Sequence, residues 1–368
     1  MPRPAVPSFP PPHTRGAPPS RSRLVHALGR PHAMLHASSS VHAASAALRS
    51  GGAIGGRFTR RGDARPPPSL SRVALVPPRL ARGRAARRLD ARAAASSSVP
   101  PEYVALANDL VDAAGAITTS HFRTSLAIDD KNDASPVTIA DRDAESAMRA
   151  MVRARCPSHA IFGEEHGIEL GAGGESEWTW VFDPIDGTKS FITGKPLWGT
   201  LAALLRDGVP VLGVLDQPVL KERWVGVAGV RTTLNGEPIA TRKCAGGLAE
   251  AYMYATTPLM FEGDNLAPYE RVAAAVKVPM YGCDCYAYGL LAAGHCDVVV
   301  EADLKPYDYM ALVPIVKGAG GRFTDWAGEE LRWEGSAEAL AQGKFQGEVC
   351  VAGDEETHAQ ALAALARR

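Results

Sequence analysis

Asp183-Pro184-Ile185-Asp186-Gly187-Thr188 is the stretch on which the reading of this chain turns. It follows the apolar run Trp178–Phe182, which reads as a strand. Two carboxylates three residues apart, held by a proline-containing turn, repel each other. A hard divalent cation relieves that repulsion, and Mg²⁺ takes oxygen ligands of this kind. Gly187 lets the backbone turn tightly. From Thr188 a helix can open whose free N–H groups point at an anion. One segment thus supplies metal ligands beside a phosphate cradle. The competing reading is a pair of helix N-capping aspartates.

Acidic residues sit at the ends of elements in three further places. Thr138-Ile139-Ala140-Asp141 precedes a helix, Gly163-Glu164-Glu165 follows the apolar run Ala160-Ile161-Phe162, and Asp308 lies in Lys305-Pro306-Tyr307-Asp308-Tyr309. No cysteine- or serine-centred motif with a positioned base suggests a covalent nucleophile. The ten histidines form no metal-ligand cluster, and His166 reads as a surface or loop residue. Six cysteines are too few for a disulfide scaffold and lack paired zinc spacing, so they read as ordinary buried thiols. The C-x-C of Cys283 and Cys285 leaves a redox role open.

Around these motifs the periodicity predicts helices over Glu102–Phe122 and Arg142–Arg155. Strands are predicted at Trp178–Phe182, Thr200–Leu205, Val211–Asp216, Arg223–Val227, Glu250–Ala255 and Asp297–Glu301. A helix from Tyr307 to Gly318 follows, then strands near Gly321–Asp325 and Val349–Ala352 and a closing helix Ala359–Arg367. The class is α/β or α+β with extensive antiparallel pairing.

The 40 basic and 40 acidic groups of the 368 residues cancel, but not locally. Residues 1–100 hold seventeen arginines, no lysine and two acids, for +15, which leaves −15 on the remainder. The same hundred residues hold fifteen prolines and no apolar periodicity. Such a segment buries too little apolar surface to offset its ordering entropy. Residues 1–98 therefore read as a disordered transit peptide, cleaved near Ala93–Ser98, ahead of a catalytic domain over 99–368. The destination read is an organelle, with plastid and mitochondrion both left open by composition. A basic nucleic-acid-binding arm is the rival, disfavoured because lysine is absent and Phe9 and Phe58 are its only aromatics. No apolar stretch is long enough to span a membrane.

The hexapeptide, Gly163-Glu164-Glu165 before it and Asp308 ahead of the Gly318–Gly321 segment resemble the inositol monophosphatase superfamily. The resemblance runs from about residue 102 to the C-terminus. It implies a layered αβαβα sandwich of the inositol monophosphatase and fructose-1,6-bisphosphatase type, lithium sensitivity, a homodimer, and two or three Mg²⁺ per site. It further implies that Glu164, Asp183 and the Ile185 carbonyl bind one metal, and that Asp183, Asp186 and Asp308 bind a second. Gly187 and Thr188 would offer backbone N–H groups to phosphate. Asp141 and Thr188 would orient and deprotonate the attacking water, with Glu164 at the same catalytic metal. Glu165 is left as an outer contact or a weak third-metal ligand. Metals neutralise a doubly anionic ester and activate water, so no covalent intermediate is needed.

The ester is a narrower question. Lys189–Gly194, Pro196–Thr200, Leu212–Pro218, Glu222-Arg223-Trp224, Thr256-Thr257-Pro258 and Asp303–Asp308 are similar to the histidinol-phosphate phosphatase branch, of plastid type. In inositol phosphatases a small residue lies seventeen positions before the substrate-contacting glutamate. Counting back from Glu301 places Asp284 there. Histidinol carries an ammonium and an imidazole, so Asp284 could pair with the amine and Glu301 with the amine or ring. The expectation is hydrolysis of L-histidinol phosphate. The alternative is an inositol or sugar phosphate such as L-galactose 1-phosphate. A catalytically silent phosphate-binding protein is disfavoured because the matched carboxylates are all present. Tyr307 stands where the broader family has Trp, which weakens the inositol assignment without touching Asp308.

Overall fold

The computed structural model describes residues 99–125, 128–130, 136–174, 176–333, 345 and 347–366. The segment 1–98 read as a transit peptide, with its cleavage site, lies outside the described residues. Strand β6 (Gly199–Arg206) shows why the body is layered. Its Leu201, Ala203 and Leu205 enter one apolar cluster, while Ala202 and Leu204 enter another. Both faces of its sheet are covered, so its strands read as near-continuous apolar runs.

That sheet has eight strands in the order β10-β9-β8-β7-β6-β5-β3-β4. They are β3 (Ala160–Gly163), β4 (Gly167–Glu169), β5 (Trp178–Asp186), β7 (Val209–Gln217), β8 (Glu222–Val227), β9 (Thr233–Leu234) and β10 (Glu237–Pro238), besides β6. Pairing is antiparallel except between β3 and β5. A second sheet runs β12-β11-β13-β15-β14, built from β11 (Tyr252–Ala255), β12 (Val278–Tyr281), β13 (Val298–Glu301), β14 (Arg322–Thr324) and β15 (Val349–Ala352). Helices α1 (Pro101–His121) and α2 (Ile139–Arg155) cover the outer face of the first sheet through Leu110, Val111, Ala144 and Met148. A short hairpin, β1 (Ile128–Asp130) with β2 (Pro136–Thr138), leads into α2. After β5 comes the short helix α3 (Thr188–Ile192).

Helix α4 (Leu266–Ala275) packs outside the second sheet. Helices α5 (Tyr286–Ala292) and α7 (Leu312–Gly318) lie between the sheets, where Leu291 and Ile315 meet Leu215 on one side and Val299 and Val351 on the other. Four residues make up α6 (Pro306–Tyr309), and α8 (Glu355–Leu365) joins α4 outside. The layers are therefore helix, sheet, helix, sheet, helix, as the resemblance implied.

Where the sequence implies one helix from Tyr307 to Gly318, the structure has α6 and α7, separated at Met310-Ala311. Pro314 has no N–H to give to the carbonyl of Met310, so the ladder breaks there. The strand expected from Glu250 starts at Tyr252, after a 3₁₀ turn over Gly247–Glu250. Helices α4 and α5 and strand β12 were not legible. Pro268 interrupts the pattern of the first. In α5, Gly289 is a poor helix former, kept because Trp224 lies against it: a Cβ there would sit 2.9 Å from the indole.

Candidate active site

The site begins with a fault in a strand. In a regular strand Asp183 and Asp186 would point to opposite faces. Here β5 pairs with β6 through Asp183 opposite Leu201 and then Asp186 opposite Gly199, so the register shifts between the two aspartates. Pro184, which has no N–H to lose, sits in that bulge, and its carbonyl accepts from Thr200 Oγ1 at 2.8 Å. The Ile185 N–H donates to Asp183 Oδ1 at 3.0 Å. Re-aimed in this way, Asp183 and Asp186 join Asp308, and one oxygen of each lies within 4.8 Å of the others.

Each carboxylate is held by a backbone donor. Asp186 Oδ1 accepts from Cys285 N at 2.7 Å. Asp308 stands in the first turn of α6, and its Oδ2 accepts from Lys305 N at 2.7 Å. Burial, then the charge of Glu164, pushes the Asp308 carboxyl up to about 8. Burial, then Asp284 and Asp308, pushes Asp186 well above the ordinary range. Such acids crowd together at a cost that a bound cation removes.

Glu164 follows β3, and β3 lies parallel to β5 with Gly163 opposite Phe182. Parallel pairing brings Glu164 and Asp183 to the same end of the sheet, and Glu164 N donates to the Phe182 carbonyl at 3.2 Å. Gly187, at φ +86°, caps α3 in a conformation that favours glycine. The N-capping role imagined for the aspartates therefore falls to Gly187. Thr188 Oγ1 donates to the Ile185 carbonyl at 3.1 Å.

Asp141 lies in the first turn of α2 and closes a capping box with Thr138: its Oδ2 accepts from Thr138 N at 2.8 Å and Thr138 Oγ1 at 2.6 Å. Burial, opposed by these hydrogen bonds, pushes its carboxyl up to about 6. No hydrogen bond joins Asp141 to Thr188 in this arrangement.

Asp284 comes from the turn before α5, is half-buried, and bonds a serine rather than an arginine. Its Oδ2 accepts from Ser190 Oγ at 2.8 Å, and a Cβ on Gly187 would lie 3.0 Å from that oxygen. Burial raises it, while Lys195 and Lys189 oppose the shift. Glu301, at the end of β13, is buried with both oxygens engaged, by Thr256 N and Tyr288 OH, each at 2.6 Å. Burial pushes it up to about 7. His166 is exposed beside Ser146. All six cysteines are buried free thiols, and burial raises the Cys283 and Cys285 thiols.

Sequence reasoning missed Glu145. It is fully buried on α2, one turn beyond Asp141, and its Oε2 accepts from Glu165 N at 2.7 Å. The signal available was an acid four residues after Asp141 with Arg149 four residues later.

The profile of the inositol monophosphatase family matches residues 101–367. The "Bifunctional phosphatase IMPL2, chloroplastic" of Arabidopsis thaliana is 53% identical over 263 residues, covering 72% of this chain and 75% of that protein. A histidinol-phosphatase of Chlorobaculum parvum is 34% identical over 226 residues, covering 61% of this chain and 86% of its own. A solved inositol monophosphatase from Zymomonas mobilis overlays with a TM-score of 0.63 at 44% identity, covering 72% of this chain and 97% of that one.

Proposed function

The chain belongs to the inositol monophosphatase family, and from that premise we propose that this phosphatase hydrolyses L-histidinol phosphate to L-histidinol and inorganic phosphate. The observation that carries the reading is Asp284 beside Gly187. In histidinol phosphate the ammonium is two carbons from the ester oxygen. An amine so close to phosphorus must lie near the phosphate cradle, where Asp284 puts a carboxylate. Inositol and sugar phosphates have a hydroxyl there. The relative named as a histidinol-phosphatase points the same way.

The proposed ion is Mg²⁺, two or three per site, with Glu164, Asp183, the Ile185 carbonyl, Asp186 and Asp308 as protein ligands. The donor set fits: it is made of hard oxygens, three of them within 4.8 Å, with two of those carboxyls raised by burial and then by neighbouring charge. When bound, the ion supplies charge neutralisation at phosphate and an activated water. Gly187 and Thr188 N–H groups hold the phosphoryl oxygens at the start of α3. Asp141 keeps both its hydrogen bonds on Oδ2, which leaves Oδ1 to take a proton from the water. Its raised carboxyl is a stronger base than an ordinary aspartate. Thr188, tethered to Ile185, aligns that water. Asp284 holds the ammonium, and Glu301 sits deeper for the amine or ring.

The test is phosphate release from histidinol phosphate against an inositol phosphate and L-galactose 1-phosphate, with chelator controls. The expected kcat/KM favours histidinol phosphate by about tenfold or more, the effect of one charge-assisted contact. Comparable values across the panel sink the assignment.

Metal binding carries a pH signature. Because Asp308 and Asp186 are raised, the metal-free fold binds protons that the unfolded chain has released. That stabilisation is present at low pH and is lost as pH rises toward about 8. A cation displaces those protons, so Mg²⁺ affinity should rise with pH, by up to about tenfold per unit per proton. The Tm gain from Mg²⁺ should be larger at pH 8 than at pH 6. A gain that is flat or reversed with pH contradicts the donor set.

We assign the chain to the plastid, on the composition of residues 1–98 and the chloroplastic name of the Arabidopsis thaliana relative, and to a homodimer. Met280 and Tyr281 on the edge strand β12 are exposed apolar surface consistent with an interface. No helix among the described residues is long and apolar enough to cross a membrane. Native mass spectrometry of the protein isolated from plastids reads both assignments. A start near Ala93–Ser98 and a doubled mass are expected, whereas a retained basic arm or a monomer overturns one or the other.

A further inference from the structure

Helix α2 carries more than Asp141. Along the same face, at steps of four, stand Glu145, Arg149 and Arg153. Glu145 and Arg149 form an ion pair at 2.7 Å, with side chains 0% and 3% exposed. A buried pair is poor evidence for stability, because the desolvation cost offsets the attraction. Its hydrogen bonds give it another role. Glu145 Oε2 accepts from Glu165 N at 2.7 Å, and Oε1 accepts from His166 N at 3.2 Å. Arg149 donates to the Gly167 carbonyl and, at 3.2 Å, to Glu169 Oε2. Arg153 grips the same Glu169 with two bonds of 2.6 Å. The β3–β4 turn, which carries Glu164, is thus pinned to α2 at the two residues after Glu164, and β4 is held to α2 at Gly167 and Glu169.

Gly163 belongs to this device. A Cβ on it would lie 2.1 Å from Glu145 Oε1, so a glycine there makes room for the Glu145 carboxylate. The Gly-Glu-Glu motif therefore joins a vacancy for the clamp to the acid that the clamp aims.

We propose that Glu145, with Arg149 behind it, is a positioning residue that sets the turn bearing Glu164, so that metal affinity depends on a carboxylate that touches no metal. The inference rests on the proposal that Glu164 is a ligand. Partners of this kind, behind a ligand, govern metal affinity by about 10–100-fold.

The experiment uses the full chain with Mn²⁺ alone, titrated by electron paramagnetic resonance, alongside the Mg²⁺ dependence of phosphate release and thermal unfolding. The variants are Glu145→Gln, which keeps the shape and loses the charge, Gly163→Ala, and Glu164→Gln as reference. Glu145→Gln/Arg149→Met is added because removing one partner strands the other charge. Expected is a rise of about tenfold or more in half-saturating metal for Glu145→Gln and Gly163→Ala, with kcat at saturating metal falling less than threefold. Combining Gly163→Ala with Glu145→Gln should cost less than the product of the two. If Tm falls while the Mn²⁺ titration stays put, and Glu164→Gln still weakens binding, the clamp is overturned and the ligand stands. If Glu164→Gln leaves Mn²⁺ binding unchanged, the ligand assignment fails and the proposal falls with it.

Discussion

Asp183→Asn is expected to lower kcat by about 10²–10³-fold at saturating Mg²⁺ and to weaken metal binding with it, on every phosphate monoester tested. The substitution is nearly isosteric, so the effect isolates charge. Asp183 is almost fully buried and its Oδ1 already accepts from Ile185 N. An Asn carbonyl keeps that bond, and the bulge with it. What it loses is a unit of negative charge among three carboxylates. A stabilisation of about 3–4 kcal/mol at the transition state corresponds to that range of rates. The reading fails if Asp183→Asn retains more than a tenth of the activity while its metal titration is unchanged. Removing a like charge also relieves repulsion, so the metal-free variant should unfold at a higher temperature than the metal-free parent. Loss of activity with a gain in apo stability separates this outcome from simple misfolding.

The second large effect concerns Asp284. Removing its charge should raise KM for histidinol phosphate by about 10–100-fold, from loss of a charge-assisted bond worth about 1.5–3 kcal/mol. For an ester without an amine the change should be a few-fold at most. Asp284→Ala makes a blunt test, because it also releases Ser190 and empties the space against Gly187. Asp284→Asn keeps an acceptor for Ser190 and removes only the charge. The diagnostic is the ratio between the two substrates. Equal losses on both would mean that Asp284 props the phosphate turn through Ser190 and recognises no amine.

The legible parts of this molecule are those with a local cause. Gly187 is needed because the chain turns there with φ +86°, and Pro184 because it has no N–H to waste in a bulge. Both causes act within a few residues, so the hexapeptide announced its own geometry. Helices α1 and α2 showed a one-sided apolar stripe, and the strands of the first sheet read as apolar runs because both their faces are covered. Glu145 was illegible for the opposite reason. Its significance depends on a turn twenty residues away, and nothing in α2 says which strand will lie beside it. Helix α5 was missed because burial between two sheets, more than its own propensity, makes it helical. The engagement of both Glu301 oxygens by Thr256 and Tyr288 likewise depends on strands that meet only after folding.

The candidate ligands are drawn from separate parts of the sandwich. Glu164, Asp183 and Asp186 come from the eight-stranded sheet, Glu301 ends β13 of the five-stranded one, and Asp308 and Asp284 come from α6 and the turn before α5. A chain in which only one sheet has formed holds an incomplete donor set. Hydrolysis thus becomes a property of the finished tertiary structure, with no active fragment along the way. On the proposed plastid assignment, a polypeptide still being threaded through an envelope membrane would stay inert toward the phosphate esters around it, and would gain its chemistry only when both sheets have closed.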